Sequence, residues 1–306
     1  MTESQKIVPC LWFDSNAEEA ANFYVSLFAD SQIGKILYYG NAGQEITGKP
    51  PGSVMIVDFE LAGYHFTGLN GGPQFKFTPA ISFYVTCATL AEIDLLWRGL
   101  SQDGMVLMEL DKYDWSEKYG WVMDRYGLSW QIALGKRTDV GQAITPMLLF
   151  VGKEHGRAEE AVKLYTGIFQ ASKIEGIVRY TAGEGEAEGT VKHAQFGLNH
   201  EKFMAMDSGL EHQFSFNEAI SLEITCETQA EIDYYWARLI ANGGEEGPCG
   251  WLKDKFGVSW QVTPQALKEM ISDPDPARTE RVTQAYLQMK KFDIEALQRA
   301  YAGTAT

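Results

Sequence analysis

The chain has 306 residues, a hydrophobic content of 45% and a formal net charge of -15. The hydrophobic content is typical of a packed globular protein, whereas the negative charge argues against nucleic acid and anionic membrane surfaces as partners. No apolar stretch approaches the roughly 20 residues that a membrane-spanning helix needs, and the first residues do not resemble an apolar signal sequence. We therefore expect a cytoplasmic protein.

The cysteines are too few and too scattered for a disulfide framework or a paired-cysteine metal site. They predict isolated thiols, and those on apolar strands are expected to be buried. The four positions are Cys10, Cys87, Cys226 and Cys249.

The first elements follow the order strand, helix, three strands. An apolar run from Ile7 to Phe13 predicts a strand, and Asn16 then precedes a segment with apolar residues at helical spacing, for which it is a candidate N-cap. A loop is expected at 40–52, and Ala62-Gly63 predicts a hairpin between the last two strands. The three strand candidates after the helix are Ile33–Tyr39, Val54–Leu61 and Tyr64–Leu69.

The same pattern then restarts. Residues 80–86 predict a strand, 90–100 predict a helix, and further strands are expected up to Leu134. A terminal helix is predicted within 277–291, and Asp293 is a candidate cap for a last helix that ends before Gly303.

The chain is an internal duplication. The segment Gly120–Gln131 is repeated almost residue for residue as Gly250–Gln261, and Ile7 and Pro9 align with Ile144 and Pro146. A repeat of this length is domain-sized, so each copy can bury its own core. We predict a first module at 1–137, a second module at 143–264 and a helical C-terminal extension at 265–306.

The residues of the repeated segment predict a turn followed by a strand. Asp124 and Asp254 favour the first position of a type I turn, and the glycine three residues later supplies the positive φ that follows it. Beyond the turn, strand alternation separates the glutamines from the tryptophans. We expect Trp130 and Trp260 under the helices, and Gln131 on the opposite, concave face together with its second copy.

Several motifs resemble one known family. They are Leu69-Asn70-Gly71-Gly72-Pro73, Glu92-Ile93-Asp94 with Trp97, the repeated Asp-x-x-Gly-x-Ser-Trp-Gln run, and the tail Lys290-Lys291-Phe292-Asp293-Ile294. They are similar to the PhnB-like group of the vicinal oxygen chelate (glyoxalase/bleomycin-resistance/dioxygenase) superfamily, which often carries the name 3-demethylubiquinone-9 3-methyltransferase. The resemblance implies an α+β fold of tandem glyoxalase-like modules. Each module would form a cupped mixed sheet from two strand-helix-three-strand units, with helices outside and the ligand in the cup.

Metal-binding members of that superfamily place His or Gln on the first strand, His on the equivalent strand of the next unit, and Glu at the end of the last strand. Here the glutamate position is Gln131 in one module and Gln261 in the other, and amides bind divalent cations more weakly than carboxylates. We therefore expect neither a metal nor another cofactor. The remaining positions fall on Val8 or Pro9, Thr145 or Pro146, Ala80 and Ala219.

The candidate site residues each have two interpretations. The two glutamines either orient a carbonyl or hydroxyl ligand or tie down a neighbouring strand. Alternation places Trp12, Ser82 and Tyr84 in the first cup. In the second cup it places Ser221, Glu223 and Thr225, of which Glu223 is either a general base or part of a rim salt bridge.

His193 aligns with Ile56 and is either catalytic or a structural residue with a hydrogen bond. Cys249 replaces Tyr119 of the first module and is either a nucleophile or an inert thiol at the cup mouth. Tryptophans beside the repeated turn can stack on a planar ligand. The predicted ligand-binding set is Trp12, Tyr84, Trp121, Gln131, His193, Glu223, Cys249, Trp251 and Gln261.

Three functions stay open. The first is metal-free binding of a small organic molecule, the second a metal-dependent lyase, isomerase or dioxygenase, and the third the methyltransferase of the family name. No glycine-rich loop opens a helix after a strand, so no dinucleotide-type site for a methyl donor is visible. Because single-module members of the superfamily pair as dimers, we expect the modules to pair within one chain, with a homodimer possible through the extension.

Overall fold

The computed structural model describes residues 5–304, which form four strand-helix-strand units followed by a group of helices. Unit 1 spans residues 7–70, unit 2 spans 81–134, unit 3 spans 144–207 and unit 4 spans 220–264. Unit 1 comprises β1 (Ile7–Phe13), α1 (Ala17–Leu27), β2 (Gln32–Tyr38), α2 (Gln44–Thr47), β3 (Val54–Leu61) and β4 (Tyr64–Asn70). Unit 2 comprises β5 (Ile81–Cys87), α3 (Leu90–Ser101), β6 (Met105–Tyr113), β7 (Ser116–Met123) and β8 (Ser129–Leu134), and is followed by α4 (Arg137–Val140).

The second half repeats this order with small differences. Unit 3 comprises β9 (Ile144–Phe150), α5 (Ala158–Ile168), β10 (Lys173–Arg179), β11 (Val191–Leu198) and β12 (Glu201–Asp207). Unit 4 comprises β13 (Ile220–Cys226), α6 (Gln229–Leu239), β14 (Glu245–Glu246), β15 (Trp251–Lys253) and β16 (Ser259–Pro264). The extension holds α7 (Gln265–Met270), α8 (Pro276–Tyr286) and α9 (Ile294–Ala302).

Two local predictions need correction. The segment 40–52 is not entirely loop, because α2 forms inside it. Asn16 makes no side-chain capping bond; instead Asn70, at the end of β4, accepts the hydrogen bond of the Ala17 amide at 2.9 Å. The prediction for the last helix is confirmed: Asp293 accepts from the Ala296 amide, and Gly303 ends α9 with a positive φ.

The strands form two eight-stranded mixed sheets within residues 5–304, which confirms the tandem α+β architecture. Sheet A has the order β14-β15-β16-β13-β1-β4-β3-β2, and sheet B has the order β10-β11-β12-β9-β5-β8-β7-β6. Sheet A therefore combines units 1 and 4, and sheet B combines units 2 and 3. Each sheet is joined at its centre by one antiparallel pair, β1 with β13 in sheet A and β5 with β9 in sheet B.

The connectivity differs from the expectation that each module builds its own cup, because every sheet takes one unit from each module. The sequence does not show whether β1 pairs with β5 of its own module or with β13 of the other module. The two candidate partners are similar in sequence, and either would satisfy the backbone hydrogen bonds of β1. The modules do pair within one chain, as expected.

Each module is instead held together by a core between the two sheets, on the helix side. Phe66 of β4 packs edge-on against Phe83 of β5 with ring centroids 5.0 Å apart. Trp130 and Trp260 are fully buried in this core, so the predicted position of the tryptophans under the helices is confirmed. Removing such aromatic rings from water is a large stabilising term.

The repeated aspartate organises this core. Asp254 accepts hydrogen bonds from Tyr165 Oη at 2.7 Å and Trp260 Nε1 at 2.9 Å, and from the amides of Phe256 and Val258. Burial raises the pKa of Asp254 to about 6, although these hydrogen bonds act in the opposite direction. Asp124 makes the equivalent bonds in the first module. The signature therefore predicts a turn correctly, and the structure adds the buried carboxylate that fastens the turn to the first helix of the module.

The C-terminal extension packs on unit 4. The amides of Cys249 and Gly250 donate to the carbonyl oxygens of Met289 and Lys290, both at 2.7 Å. A Cβ atom at Gly250 would lie 2.4 Å from the Phe292 ring, so a glycine is required for this approach. Within residues 5–304, no helix has the length and apolar character to cross a membrane.

Candidate functional site

We call the concave face of sheet A, with the parts of the extension that cover it, cup A; the concave face of sheet B is cup B. Cup A contains two neighbouring cavities, an inner one of about 430 Å³ and an outer one of about 470 Å³. Both volumes are in the range of small-molecule sites. The two cavities share as wall residues Tyr39, Thr47, Leu69, Cys249 and Trp251.

The floor of cup A is polar where units 1 and 4 meet. Gln261 Nε2 donates to Ser221 Oγ at 2.8 Å. Burial raises the pKa of the adjacent Cys10 thiol to about 12, and the charge of Glu223 acts in the same direction. Cys10 is therefore a neutral thiol at pH 7 and is not an activated nucleophile.

Glu223 is buried and forms an ion pair with Lys268 of α7, with Nζ and Oε1 3.0 Å apart. Lys268 also donates to Thr225 Oγ1 at 3.0 Å. The extension thus supplies the cation that neutralises the carboxylate on the cup floor. Of the two interpretations of Glu223, the geometry is that of a salt bridge, although the partner comes from a helix and not from the rim of the sheet.

Asp58 and Thr67 lie on the unit 1 side of the inner cavity. Thr67 Oγ1 donates to Asp58 Oδ1 at 3.2 Å. Burial raises the pKa of Asp58, and the charge of Glu223 adds to this effect, while the hydrogen bond from Thr67 opposes it. The inner cavity therefore presents carboxylate, ammonium, hydroxyl and amide groups to whatever enters it.

Aromatic side chains form the wall of the outer cavity. Trp12 packs edge-on against Phe75 with ring centroids 5.0 Å apart, and against Trp251 at 5.8 Å. The indole nitrogen of Trp12 donates to the carbonyl oxygen of Gly72 at 2.7 Å, which fixes the ring. A Cβ atom at Gly71 would lie 2.2 Å from the same ring, so the glycine at this position makes room for Trp12.

Cys249 stands between the two cavities. Its φ is +53°, and its thiol points to the carbonyl oxygen of Tyr286 in α8, with Sγ and O 3.7 Å apart. Burial raises the pKa of this thiol to about 11. The geometry favours the inert thiol over the nucleophile.

Cup B carries the same sheet positions with different contents. Tyr119, which corresponds to Cys249, donates to Gln131 Oε1 at 2.9 Å, and Gln131 Nε2 donates to Ser82 Oγ at 2.8 Å. All three side chains are buried. Burial raises the pKa of Tyr84 to about 12. In this cup the glutamine is held by protein groups on both sides. For Gln131 the geometry therefore favours the interpretation in which the amide ties down a neighbouring strand.

His193 lies on β11 of sheet B, opposite Val178 of β10. Burial lowers its pKa, so the imidazole is neutral at pH 7. Its counterpart in cup A is Ile56, which lines the inner cavity. The histidine therefore belongs to a different cup from Glu223 and Gln261.

The structure divides the predicted ligand-binding residues between the two cups. Five of them line the cavities of cup A: Trp12, Glu223, Cys249, Trp251 and Gln261. Tyr84, Trp121, Gln131 and His193 lie on sheet B. The prediction that Trp12 shares a cup with Ser82 and Tyr84 is wrong, because β1 pairs with β13 and not with β5.

Sequence reasoning also missed residues that belong to the site. Cys10 could have been found, since it alternates with Trp12 on the same strand. Lys268, Tyr286 and Phe292 could not, because nothing in the sequence of the extension shows which surface it covers. All three line the inner cavity.

The side chains of cup A do not fit a catalytic metal. At the centre of the sheet the first and last strands of units 1 and 4 present Cys10, Thr67, Glu223 and Gln261, of which only Glu223 is a carboxylate, and it is paired with Lys268. Sheet B presents Met147, Met204, Tyr84 and Gln131 at the corresponding positions. Among residues 5–304, no three His, Cys, Asp or Glu side chains form a group that could hold a metal ion. Three protein ligands are the usual minimum for a catalytic zinc.

The fold and the paired units define a protein of the vicinal oxygen chelate class. The profile of the family described as 3-demethylubiquinone-9 3-methyltransferase matches the chain twice, over residues 5–133 and 142–263. The chain belongs to this family, the PhnB-like group of the superfamily.

The chain is also similar to several solved structures. A PhnB protein from Bacillus cereus, named for the same methyltransferase, is 44% identical, with 43% of this chain and 100% of that chain covered and a TM-score of 0.39. A protein from Staphylococcus aureus is 32% identical, with 43% and 97% covered and a TM-score of 0.18. Glyoxalase I from Zea mays is 12% identical, with 87% and 95% covered and a TM-score of 0.51, and shows the fold alone. A search of curated proteins gave no match.

Proposed function

We propose that this protein binds a small organic molecule in cup A without the help of a metal ion, in the cytoplasm. The observation that carries the proposal is the pair of adjoining cavities of about 430 and 470 Å³, bounded by aromatic rings on one side and by a few convergent polar groups on the other. Such a combination is typical of ligand sites, in which apolar walls supply affinity and polar groups supply orientation.

The polar floor of cup A is suited to orienting a neutral or charged group of the ligand. The Gln261 amide donates to Ser221, lies in hydrogen-bonding contact with the Cys10 thiol, and lines the inner cavity. The Glu223 and Lys268 pair lies beside it and offers both charges. In cup B the equivalent amide is already satisfied by Tyr119 and Ser82, so we propose that only cup A is a binding site.

The other two functions are less well supported by the side chains. A metal-dependent lyase, isomerase or dioxygenase would need ligands that the cup floor does not bring together. The methyltransferase of the family name would need a site for a methyl donor, and S-adenosylmethionine is therefore included among the test ligands below.

The test is a fluorescence titration of the purified, metal-depleted protein with a library of aromatic compounds and with S-adenosylmethionine. A compound that enters cup A should quench tryptophan emission, and Trp251→Phe should remove most of the quenching because this ring borders both cavities. Trp121→Phe, the matched change in cup B, should leave the quenching and the affinity unchanged.

Binding that appears only after a divalent metal is added, or that Trp121→Phe abolishes while Trp251→Phe does not, would overturn the proposal. Tight binding of S-adenosylmethionine would favour the methyltransferase instead. A homodimer formed through the extension stays a prediction, to be checked by light scattering.

A further inference from the structure

Ser259 is a buried polar side chain of cup A whose hydroxyl makes no hydrogen bond within the described part of the chain. Its side chain is 1% exposed and it lines the outer cavity, yet its hydroxyl has no hydrogen-bond partner among residues 5–304. A buried hydroxyl without a partner costs roughly 1 to 3 kcal/mol, so such groups are rare unless a ligand or water satisfies them.

The matched position in cup B shows what the hydroxyl lacks. Ser129 accepts a hydrogen bond from Trp121 Nε1 at 2.8 Å. In cup A the corresponding indole, Trp251, packs edge-on against Trp12, with centroids 5.8 Å apart, and does not bond to Ser259. The same serine and tryptophan are therefore bonded to each other in cup B, and in cup A they both border the outer cavity.

The charge around the outer cavity has one prevailing sign. Three acidic residues line it, Glu218, Glu245 and Glu246, together with Lys253. The Glu246 carboxylate is paired with Lys290, with Oε2 and Nζ 3.5 Å apart, and accepts a hydrogen bond from Trp236 Nε1 at 3.1 Å. Lys253 is already paired with Glu218, with Nζ and Oε1 2.6 Å apart. Glu245 is exposed, and within residues 5–304 it has no ion pair like those of Glu218 and Glu246. Carboxylates beside an aromatic wall favour a cation, which is attracted both by the negative charge and by the faces of the rings.

We propose that the outer cavity recognises an aromatic molecule that carries a protonated amine. The ring lies against Trp12, Phe75 and Trp251, the ammonium group faces the Glu245 side of the cavity, and the Ser259 hydroxyl forms a hydrogen bond with the ligand. This inference rests on the proposed function, because it names the ligand class of the same cup.

The test compares three compounds with one ring system and different charge: tryptamine, the neutral tryptophol and the anion indoleacetate. Isothermal titration at low salt should give tryptamine an affinity at least about 10-fold higher than tryptophol, with indoleacetate the weakest. Ser259→Ala should weaken tryptamine about fivefold, whereas the matched Ser129→Ala should not change its affinity.

The carboxylate is tested separately. Glu245→Gln should weaken tryptamine and leave tryptophol unchanged, and Glu188→Gln, at an exposed position in unit 3, is the control for a change in net charge.

The outcomes separate the two proposals. Equal affinities for tryptamine and tryptophol, both reduced by Trp251→Phe, would overturn the cation preference while leaving cup A a binding site. Tryptamine binding that survives both Ser259→Ala and Glu245→Gln would overturn the assigned contacts. If none of the three compounds binds, the ligand class is wrong, and the wider library decides whether the proposed function fails with it.

Discussion

Cup A and cup B are built from equivalent strands of two sheets, yet cup A contains two cavities, whereas the floor of cup B is occupied by large buried side chains such as Tyr119, Met147 and Met204. Cup A has Cys249 where cup B has Tyr119, and the tyrosine hydroxyl completes the bonding of Gln131. On the first strand, Cys10 of cup A stands where cup B has Met147. The comparison teaches that a few changes of side-chain volume are enough to pack one cup of a duplicated fold with side chains and to leave the other cup open.

The largest expected effect is on the pH dependence of stability, and it concerns Glu201, a buried carboxyl group of sheet B. Glu201 of β12 accepts hydrogen bonds from the amides of Lys6 and Ile7 at 2.6 and 3.0 Å, whereas unit 1 has Tyr64 at the same place. Burial raises the pKa of Glu201 to about 8, against the lowering effect of these bonds.

Because the folded state holds this proton and the unfolded state has lost it above about pH 4.5, the free energy of unfolding should fall as the pH rises to about 8. The slope should approach roughly 1.4 kcal/mol per pH unit. Urea denaturation from pH 5 to 8 measures it. Glu201→Gln, which keeps the acceptor oxygen, should flatten the curve between about pH 6 and 8, above the range in which Asp254 titrates, and an unchanged slope there would contradict the assignment.

The next prediction concerns stability and ligand binding when one side chain of each cup is replaced by its counterpart from the other cup. Met204 of β12 is buried in cup B, and the matching residue of cup A is Thr67, which lines the inner cavity. Met204→Thr should lower the free energy of unfolding by about 2 to 3 kcal/mol, because it leaves a void in a filled sheet face.

Thr67→Met should lower the free energy of unfolding by only about 1 kcal/mol, because it removes the hydrogen bond to Asp58 but its longer side chain enters existing space. It should weaken binding of a cup A ligand by about 10-fold. Denaturation and calorimetric titration measure the two effects. Equal destabilisation by both substitutions would show that the cups do not differ in packing.

The smallest expected effect is the change in the free energy of unfolding when Ser129 or Ser259 is replaced by alanine in the absence of ligand. Ser129→Ala should lower the free energy of unfolding by about 1 kcal/mol, because it leaves the Trp121 indole nitrogen without its acceptor. Ser259→Ala should raise the free energy of unfolding by about 1 kcal/mol, since no bond is lost and a buried hydroxyl without a partner is removed. Thermal unfolding of both variants checks this, and a loss of stability at Ser259 would mean that the hydroxyl is already bonded in the free protein.

Much of the local structure could be predicted from the sequence. The repeated signature identified the duplication and the turn at Asp124, and strand alternation placed Trp130 in the core and Gln131 on the concave face, because side chains on a strand alternate with a period of two. The order of strands and helices followed from hydrophobic spacing in the same way. The pairing of the units could not be predicted, because β1 and β9, like β5 and β13, offer almost identical edges.

The sequence by itself determined four similar units and two modules, since these depend on residue identity and on local periodicity. Only the tertiary structure decided that unit 1 faces unit 4, so that Trp12 joins Trp251 and Gln261, and that Lys268 of the extension reaches Glu223. The physical reason is that the identity of a strand's neighbour and the surface that a helix covers depend on contacts between residues far apart in the chain.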